Sequence, residues 1–366
     1  MDLLKIKNFH IYQYALALHQ PFPIKGEDLC SREGLIVELL SDDGKQGWGE
    51  ISPLPGFSVE TLADTLKQLF NFLPSLSDKK ISQDFHSIRA IVAPFKGQPQ
   101  LKSSLCFGVE SAILNLVANT SRKNLAQVIS KNNFSSIRLD GLLKEGPLEE
   151  IKINTKQLLE GGFRSLKLKV GTDFDSDVKN VLAIKEVLEG RAVLHLDANK
   201  RWDIKRAVKF GDAIGCAAVT YIEEPLDDIA AIPEFFAKTL IPVALDESLS
   251  NVPVQELKRL DGVDFFVVKP TILGGIIKSL EIIQEAQTIA IEPVISSSFE
   301  TGIGLLTLAN IAATLPSYTV AGLDTLKWFQ EDLLKFPLKI DHGQIKIGAK
   351  MLNREDIRME LLKKIK

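Results

Sequence analysis

Lysines and carboxylates stand at the ends of five short apolar runs. These are LKLKV with Lys167 and Lys169, LHLDAN with Asp197 and Asn199, YIEEPL with Glu223 and Glu224, VALDES with Asp246 and Glu247, and FVVKP with Lys269. From Lys169 onward the charged positions Asp197, Glu223, Asp246 and Lys269 follow at intervals of 28, 26, 23 and 23 residues. An apolar strand that ends in an ionised group is costly to bury unless the charge meets water, a counter-ion or a metal. Five such ends at near-regular spacing point to one shared site.

Strand alternation puts Lys167 and Lys169 on the same side of their run. Two neighbouring ammonium groups in a partly dry site repel each other, and repulsion and desolvation both favour the neutral amine. A lysine brought toward neutrality can take a proton from carbon. Lys269, on a strand across the fold, adds a third cation from the opposite side. Asp197, Glu223 and Asp246 come from successive runs with no cysteine beside them, which suits a hard, oxygen-seeking cation such as Mg2+. Taken singly, a strand-end acid reads as a helix cap or a surface charge; three in series do not. His195 shares a strand face with Asp197, but no second His or Cys is near in sequence. It therefore reads as a wall or substrate-contact residue, not a zinc ligand. Alternation turns Glu224 and Glu247 aside, as partners of the proposed ligands. A lysine base beside a carboxylate-held Mg2+ fits one reaction type: removal of the proton α to a substrate carboxylate, with the cation stabilising the resulting enediolate.

The elements that must position these groups change character along the chain. Residues 1 to about 130 predict an α+β unit: a strand at Gly34–Leu40, a turn at Asp42–Lys45, a strand through Trp48, and helices over Ser58–Leu73 and Leu105–Ala118. Between them the run Gly49–Phe57 reads either as a lid or as a plain surface loop. From about Ser135, strand and helix alternate. Strands are expected at Ile137–Leu142, Ser165–Val170, Val193–Asp197, Val219–Glu223, Pro242–Asp246, Phe265–Lys269, Pro293–Ser297 and Thr319–Leu323. Helices are expected at Ser176–Glu189, Ile204–Ile214, Asp228–Lys238 and Gly275–Ala290. That count and spacing predict a closed (β/α) barrel over residues 131–325, with reactive groups at the C-terminal strand ends. A doubly wound open sheet is disfavoured, since no glycine-rich phosphate loop follows the first strand. Residues 326–366, with the strand-and-turn run KIDHGQIKIG, are expected to pack on the capping unit. Ile295–Gly304 offers hydroxyls and N–H groups able to hold a carboxylate, and Gly322 ends the eighth strand.

Composition narrows the partners. The chain has 366 residues, 45% hydrophobic and 25% charged, with a net charge of −3. No basic run suggests nucleic acid, and no apolar stretch approaches the ~20 residues that span a bilayer. The N-terminal run MDLLKIKNFH lacks a signal-peptide core. Cys30, Cys106 and Cys216 are far apart and form no CxxC pair, so neither a disulfide framework nor structural zinc is expected. A cytoplasmic monomer or small homo-oligomer acting on a small-molecule carboxylate fits these bounds.

The series KLKV, LDAN, IEEP, LDES, VVKP and ISSS resembles the enolase superfamily, in its muconate-lactonizing subgroup. Within it, REGLIVELL, GWGEISPLPGFSVETL, FGVESAI, VVKPTILGG, VISSSFETGIGL and AGLDTL most resemble the o-succinylbenzoate synthases of menaquinone synthesis. The resemblance implies a modified TIM barrel with an α+β N-terminal capping domain completed by the C-terminal tail. It also implies a Mg-dependent syn-dehydration. Lys169 is then the base, Lys167 lowers its pKa, and Lys269 is the cation on the opposite face. Asp197, Glu223 and Asp246 are the metal ligands, and Asn199, Ser296 and Gly322 the substrate contacts. His195 departs from the pattern, standing where the family can carry an arginine. Two other readings remain. An N-acylamino-acid racemase or dipeptide epimerase of the same superfamily would use Lys169 and Lys269 as paired bases. A non-catalytic binding protein would be expected to have lost part of the set.

Overall fold

The computed structural model describes residues 4–24, 27–77, 79–81, 101–144, 146–250, 261–348 and 351–366. The chain opens with an antiparallel meander: β1 (Leu4–Ile24), β2 (Glu27–Ser41) and β3 (Gln46–Ile51). The long strand β1 is absent from the sequence expectation. Its signal is the alternation of Tyr12, Tyr14, Leu16 and Leu18, all buried on one face. The short helix α1 (Leu62–Phe72) starts where Thr61 and Asp64 cap each other, the Asp64 N–H donating to the Thr61 hydroxyl and the Thr61 N–H to the Asp64 carboxylate. After β4 (Lys80–Ile81) come α2 (Ser103–Ser121) and the short α3 (Leu125–Ile129). Helix α2 lies directly on β3. Its approach depends on missing side chains: a Cβ on Gly49 would strike the Gly108 carbonyl, and one on Gly108 would strike Ile51. The runs GWGE and FGVES are thus two halves of one packing contact.

The barrel follows as β5 (Ser136–Leu139), β6 (Gly141–Leu142), α4 (Leu148–Glu160), β7 (Ser165–Lys169), α5 (Phe174–Leu188), β8 (Val193–Asp197) and α6 (Ile204–Ile214). It continues with β9 (Tyr221–Glu223), α7 (Ile232–Thr239), β10 (Val243–Leu245), β11 (Val263–Val268), α8 (Pro270–Leu273), α9 (Gly275–Thr288), β12 (Glu292–Ile295), α10 (Gly302–Ala312) and β13 (Val320–Ala321). Strands β6 to β12 form one parallel sheet in chain order. It closes on itself through a bridge between Ser296 and Gly322 and through the pairing of β13 with β5. The first strand, expected as one run over Ile137–Leu142, breaks at Asp140, whose N–H donates to the Ala321 carbonyl (3.0 Å). One half then serves β13 and the other serves β7.

The tail divides between the two units. The hairpin of β14 (Ile340–Asp341) and β15 (Gln344–Lys346), within KIDHGQIKIG, pairs with β5 and not with the capping sheet as expected. The break at Asp140 leaves that edge of β5 open for it. The last strand, β16 (Lys363–Lys364), does return to β1. Phe329, Leu333 and Ile357 also pack with Tyr12, Tyr14 and Trp48 of the capping sheet. A second apolar cluster runs from Leu69, Leu105 and Ile113 of the capping unit through Leu166, Leu196 and Phe266 of the barrel.

Candidate active site

Parallel register brings the charged strand ends together. Lys169 pairs with Asp197, and Asp197 with Glu223. One cavity at the barrel mouth is lined by Lys167, Lys169, Asp197, Asn199, Glu223, Lys269, Ser296 and Gly322. Asp246 lies in an adjoining recess that Lys269 also lines, and its carboxylate accepts from the Lys269 ammonium. Lys169 on the second strand and Lys269 after the sixth face the cavity from opposite sides. Gly322 has no side chain because a Cβ there would press on the Ser296 hydroxyl.

The lysines are not mutually exposed cations. The Lys167 ammonium lies 2.7 Å from Glu223 and 3.1 Å from Asp197. Burial works against its charge, yet these two carboxylates outweigh burial and hold it well above the ordinary lysine value. The expected lowering by like-charge repulsion therefore does not apply to Lys167, because acid partners intervene. Burial likewise opposes the charge of Lys269, and Asp246 and Glu223 raise it. The Asp197 carboxyl is held low by Lys167, Lys169 and Lys269 despite its burial. Glu223 goes the other way: burial pushes it up, Lys167 opposes, and the Asp197 and Asp246 charges add to the push. The Lys169 ammonium donates to the Asn199 side-chain oxygen at 3.4 Å, and the Asn199 amide donates to Glu247 at 3.2 Å.

The donor set fits a hard divalent cation. Three carboxylates sit at three adjacent strand ends, and Glu223 Oε1 is buried without a hydrogen-bond partner among the described residues. The Asp197 and Asp246 charges push the Glu223 carboxyl up, so added positive charge beside it would be favourable. Their oxygens, however, are turned to Lys167 and Lys269. Among the described residues no three acidic, His or Cys groups converge as a metal cage does.

Beside the cradle, Glu224 is turned aside as expected. It accepts from the Asp246 N–H (2.8 Å), the Ser248 N–H (2.7 Å) and the Ser248 hydroxyl (2.8 Å), fixing the turn that carries Asp246. Glu247 is not turned aside: it bonds Asn199, and its other oxygen is buried with no hydrogen-bond partner among the described residues. The short helical turn Glu247–Ser250 interrupts strand alternation there. His195 lies below the cavity, not in its lining. Its Nδ1 is 3.0 Å from Asp140, and its ring stacks on Tyr221 at 4.2 Å. It stands behind two lining residues, Asp140 and Tyr221, and the first of these, a cavity-lining acid, carries no mark in the sequence.

The capping unit closes the cavity from above with Phe22, Ile24, Leu54 and Phe57. Leu54 and Phe57 belong to the run expected as a lid or a loop. Two buried side chains bind that run to the barrel. Glu50 accepts from the Tyr14 hydroxyl (2.6 Å), the Thr301 N–H (3.0 Å) and the Gly304 N–H (2.9 Å), capping α10. Arg32 donates to main-chain carbonyls on both units. Both residues stand in the runs REGLIVELL and GWGEISPLPGF, but nothing in one sequence distinguishes a domain clamp from a surface charge. Phe22 carries no sequence signal beyond being aromatic, and Phe299 lies in the run Ile295–Gly304, whose signal is its hydroxyls and N–H groups and not its ring.

Among the described residues no helix is long and apolar enough to cross a membrane. The Enolase C-terminal domain-like family matches residues 150–351, and the MenC N-terminal domain family matches residues 6–94. The o-succinylbenzoate synthase of Pasteurella multocida strain Pm70 is 31% identical, over 88% of this chain and 90% of that one. The chloroplastic protein PHYLLO of Arabidopsis thaliana is 30% identical over 92% of this chain, which spans 22% of that protein's length. In structure, the muconate lactonizing enzyme of Pseudomonas fluorescens complexed with muconolactone superposes with a TM-score of 0.86 at 20% identity, covering 98% of this chain and 100% of that one. The dipeptide epimerase of Enterococcus faecalis V583, complexed with Mg and L-Leu-L-Tyr, superposes with a TM-score of 0.84 at 25% identity, covering 94% and 97%. The chain belongs to the o-succinylbenzoate synthase family, with an Enolase C-terminal domain-like barrel and a MenC N-terminal domain.

Proposed function

We propose that the chain is an o-succinylbenzoate synthase acting in menaquinone biosynthesis, with Mg2+ as its cation. It would dehydrate 2-succinyl-6-hydroxy-2,4-cyclohexadiene-1-carboxylate. Lys169, as the neutral amine, takes the proton from the carbon that bears the carboxylate. The electron pair moves into the ring, the C6–OH bond breaks, and the proton on Lys169 leaves with the hydroxyl as water on the same face. The ring becomes aromatic, and substrate equals product plus water. Lys269 lies on the other face as a fixed cation. Lys167 orders the carboxylates of Asp197 and Glu223. Asn199 orients the Lys169 amine, and Ser296 with the Gly322 backbone meets the substrate. A divalent cation held by Asp197, Glu223 and Asp246 would supply positive charge where the carboxylate develops enediolate character.

The observation that carries the reading is the meeting in one cavity of lysines from opposite barrel strands with carboxylates from the strands between them. The same pair of lysines favours a second reading, racemisation of N-acylamino acids. Epimerisation of dipeptides belongs to the same second reading, since it needs the same two lysines.

A spectrophotometric assay on the cyclohexadiene substrate, with and without EDTA, tests the proposal. Turnover that stops with EDTA and returns with Mg2+ is expected. No turnover with Mg2+ present, alongside racemisation of N-succinylamino acids, would replace this reading with the second one.

A further inference from the structure

Arg32, on β2, is 1% exposed. A buried guanidinium keeps its charge and needs acceptors for five N–H groups. Its acceptors here are main-chain carbonyls. Nε donates to Phe299 (3.0 Å), Nη1 to Pro53 (3.0 Å), and Nη2 to Ser52 (2.9 Å) and Ser298 (3.4 Å). One side chain thus joins the cover of the capping unit to the loop after β12. That loop needs holding. Phe299 sits at φ 60, a left-handed backbone that is costly for a bulky residue. Its ring lines the cavity and packs against Phe22 at 4.8 Å between centroids. Phe22 in turn lies over Lys169, whose Nζ is 5.5 Å from the ring centroid, and Trp328 backs Phe22 at 5.7 Å.

We propose that Arg32 is a positioning residue: by fixing the Phe299 carbonyl against those of Ser52 and Pro53, it sets the Phe299–Phe22 pair as the wall that covers Lys169 and receives the substrate's apolar ring. Only the identity of what the wall receives rests on the proposed function; the covering of Lys169 does not. A rigid guanidinium fork grips several segments at once, which a single ammonium in the same place does not.

The test uses the full chain with Arg32→Lys and, separately, Phe299→Gly. The second variant removes the ring at a backbone angle glycine accepts, so it keeps the fold even if the first does not. Two readouts are taken: KM and kcat with the cyclohexadiene substrate, and reductive methylation of Lys169 followed by mass spectrometry, with exposed Lys363 as the internal reference. Both variants are expected to raise KM about tenfold with a smaller change in kcat. Both are also expected to speed methylation of Lys169 severalfold relative to Lys363. Folded variants with a lower Tm but unchanged KM and unchanged Lys169 methylation would overturn the proposal. If the parent chain turns over no cyclohexadiene, the functional reading falls and methylation decides alone: acceleration upholds the role of Arg32, and an unchanged rate overturns it.

Discussion

The two walls of the cavity are built on opposite principles. The barrel wall is charged, and strand register positions it: Lys169, Asp197 and Glu223 are consecutive Cα partners on three parallel strands. The cover is apolar, made of Phe22, Leu54, Phe57 and Phe299 on loops and strand ends. Its charges, Arg32 and Glu50, do not line the cavity; Arg32 bonds main-chain carbonyls, and Glu50 bonds main-chain N–H groups and the Tyr14 hydroxyl. The difference teaches a division of labour. A ladder of hydrogen bonds holds groups that must keep sub-ångström relations for proton transfer. Loops clamped from behind shape the space the substrate's body fills, and such loops can change without disturbing the ladder.

Substitutions on the two walls should therefore fail differently. The largest effect is expected in the cradle. Glu223→Gln removes a charge that neighbouring groups depend on and should lower kcat by about 10³-fold or more, with the fold retained by circular dichroism. A loss below tenfold would remove Glu223 from the machinery. On the cover, Phe22→Ala should raise KM by about tenfold and leave kcat within a fewfold. A kcat collapse equal to that of the cradle variant would erase the distinction between the walls.

The smallest effect lies between the two units, behind the cavity. Glu110 on α2 accepts the Ile276 and Ile277 N–H groups at the start of α9, and burial pushes its carboxyl from 4.5 up to about 8, with those N–H groups opposing. The folded state thus binds this proton more tightly than the unfolded state does. Its stabilising contribution is complete below pH 4.5 and declines as pH rises through about 8. Glu110→Gln should flatten the fall in Tm between pH 5 and 8.5 by about 2 °C or more. An identical slope in both proteins would remove Glu110 as its cause.

The same division explains what was legible in the sequence. The barrel was readable because a parallel strand buried on both sides is almost wholly apolar, so each terminal charge stands out, and the period of the βα unit repeats. The resemblance then named the cradle residue by residue. Strand β1 was missed although Tyr12, Tyr14, Leu16 and Leu18 alternate, because its polar face carries few turn signals to bound it. The destination of KIDHGQIKIG depended on the break in the first barrel strand at Asp140, a tertiary event with no local mark. Glu247 escaped because alternation was assumed past the point where the strand ends. Phe22, Phe299 and the Arg32 clamp are long-range contacts, with 267 residues separating Arg32 from Phe299. Spacing arguments do not reach that far.

The central claim is that Lys169 is the group that moves the proton. Single-turnover dehydration by Lys169→Ala, with enzyme in excess over the cyclohexadiene substrate and Mg2+ present, tests it most directly. No dehydration above the uncatalysed rate is expected from a variant whose circular dichroism and melting match the parent. Dehydration within about tenfold of the parent rate would mean that another base does the work.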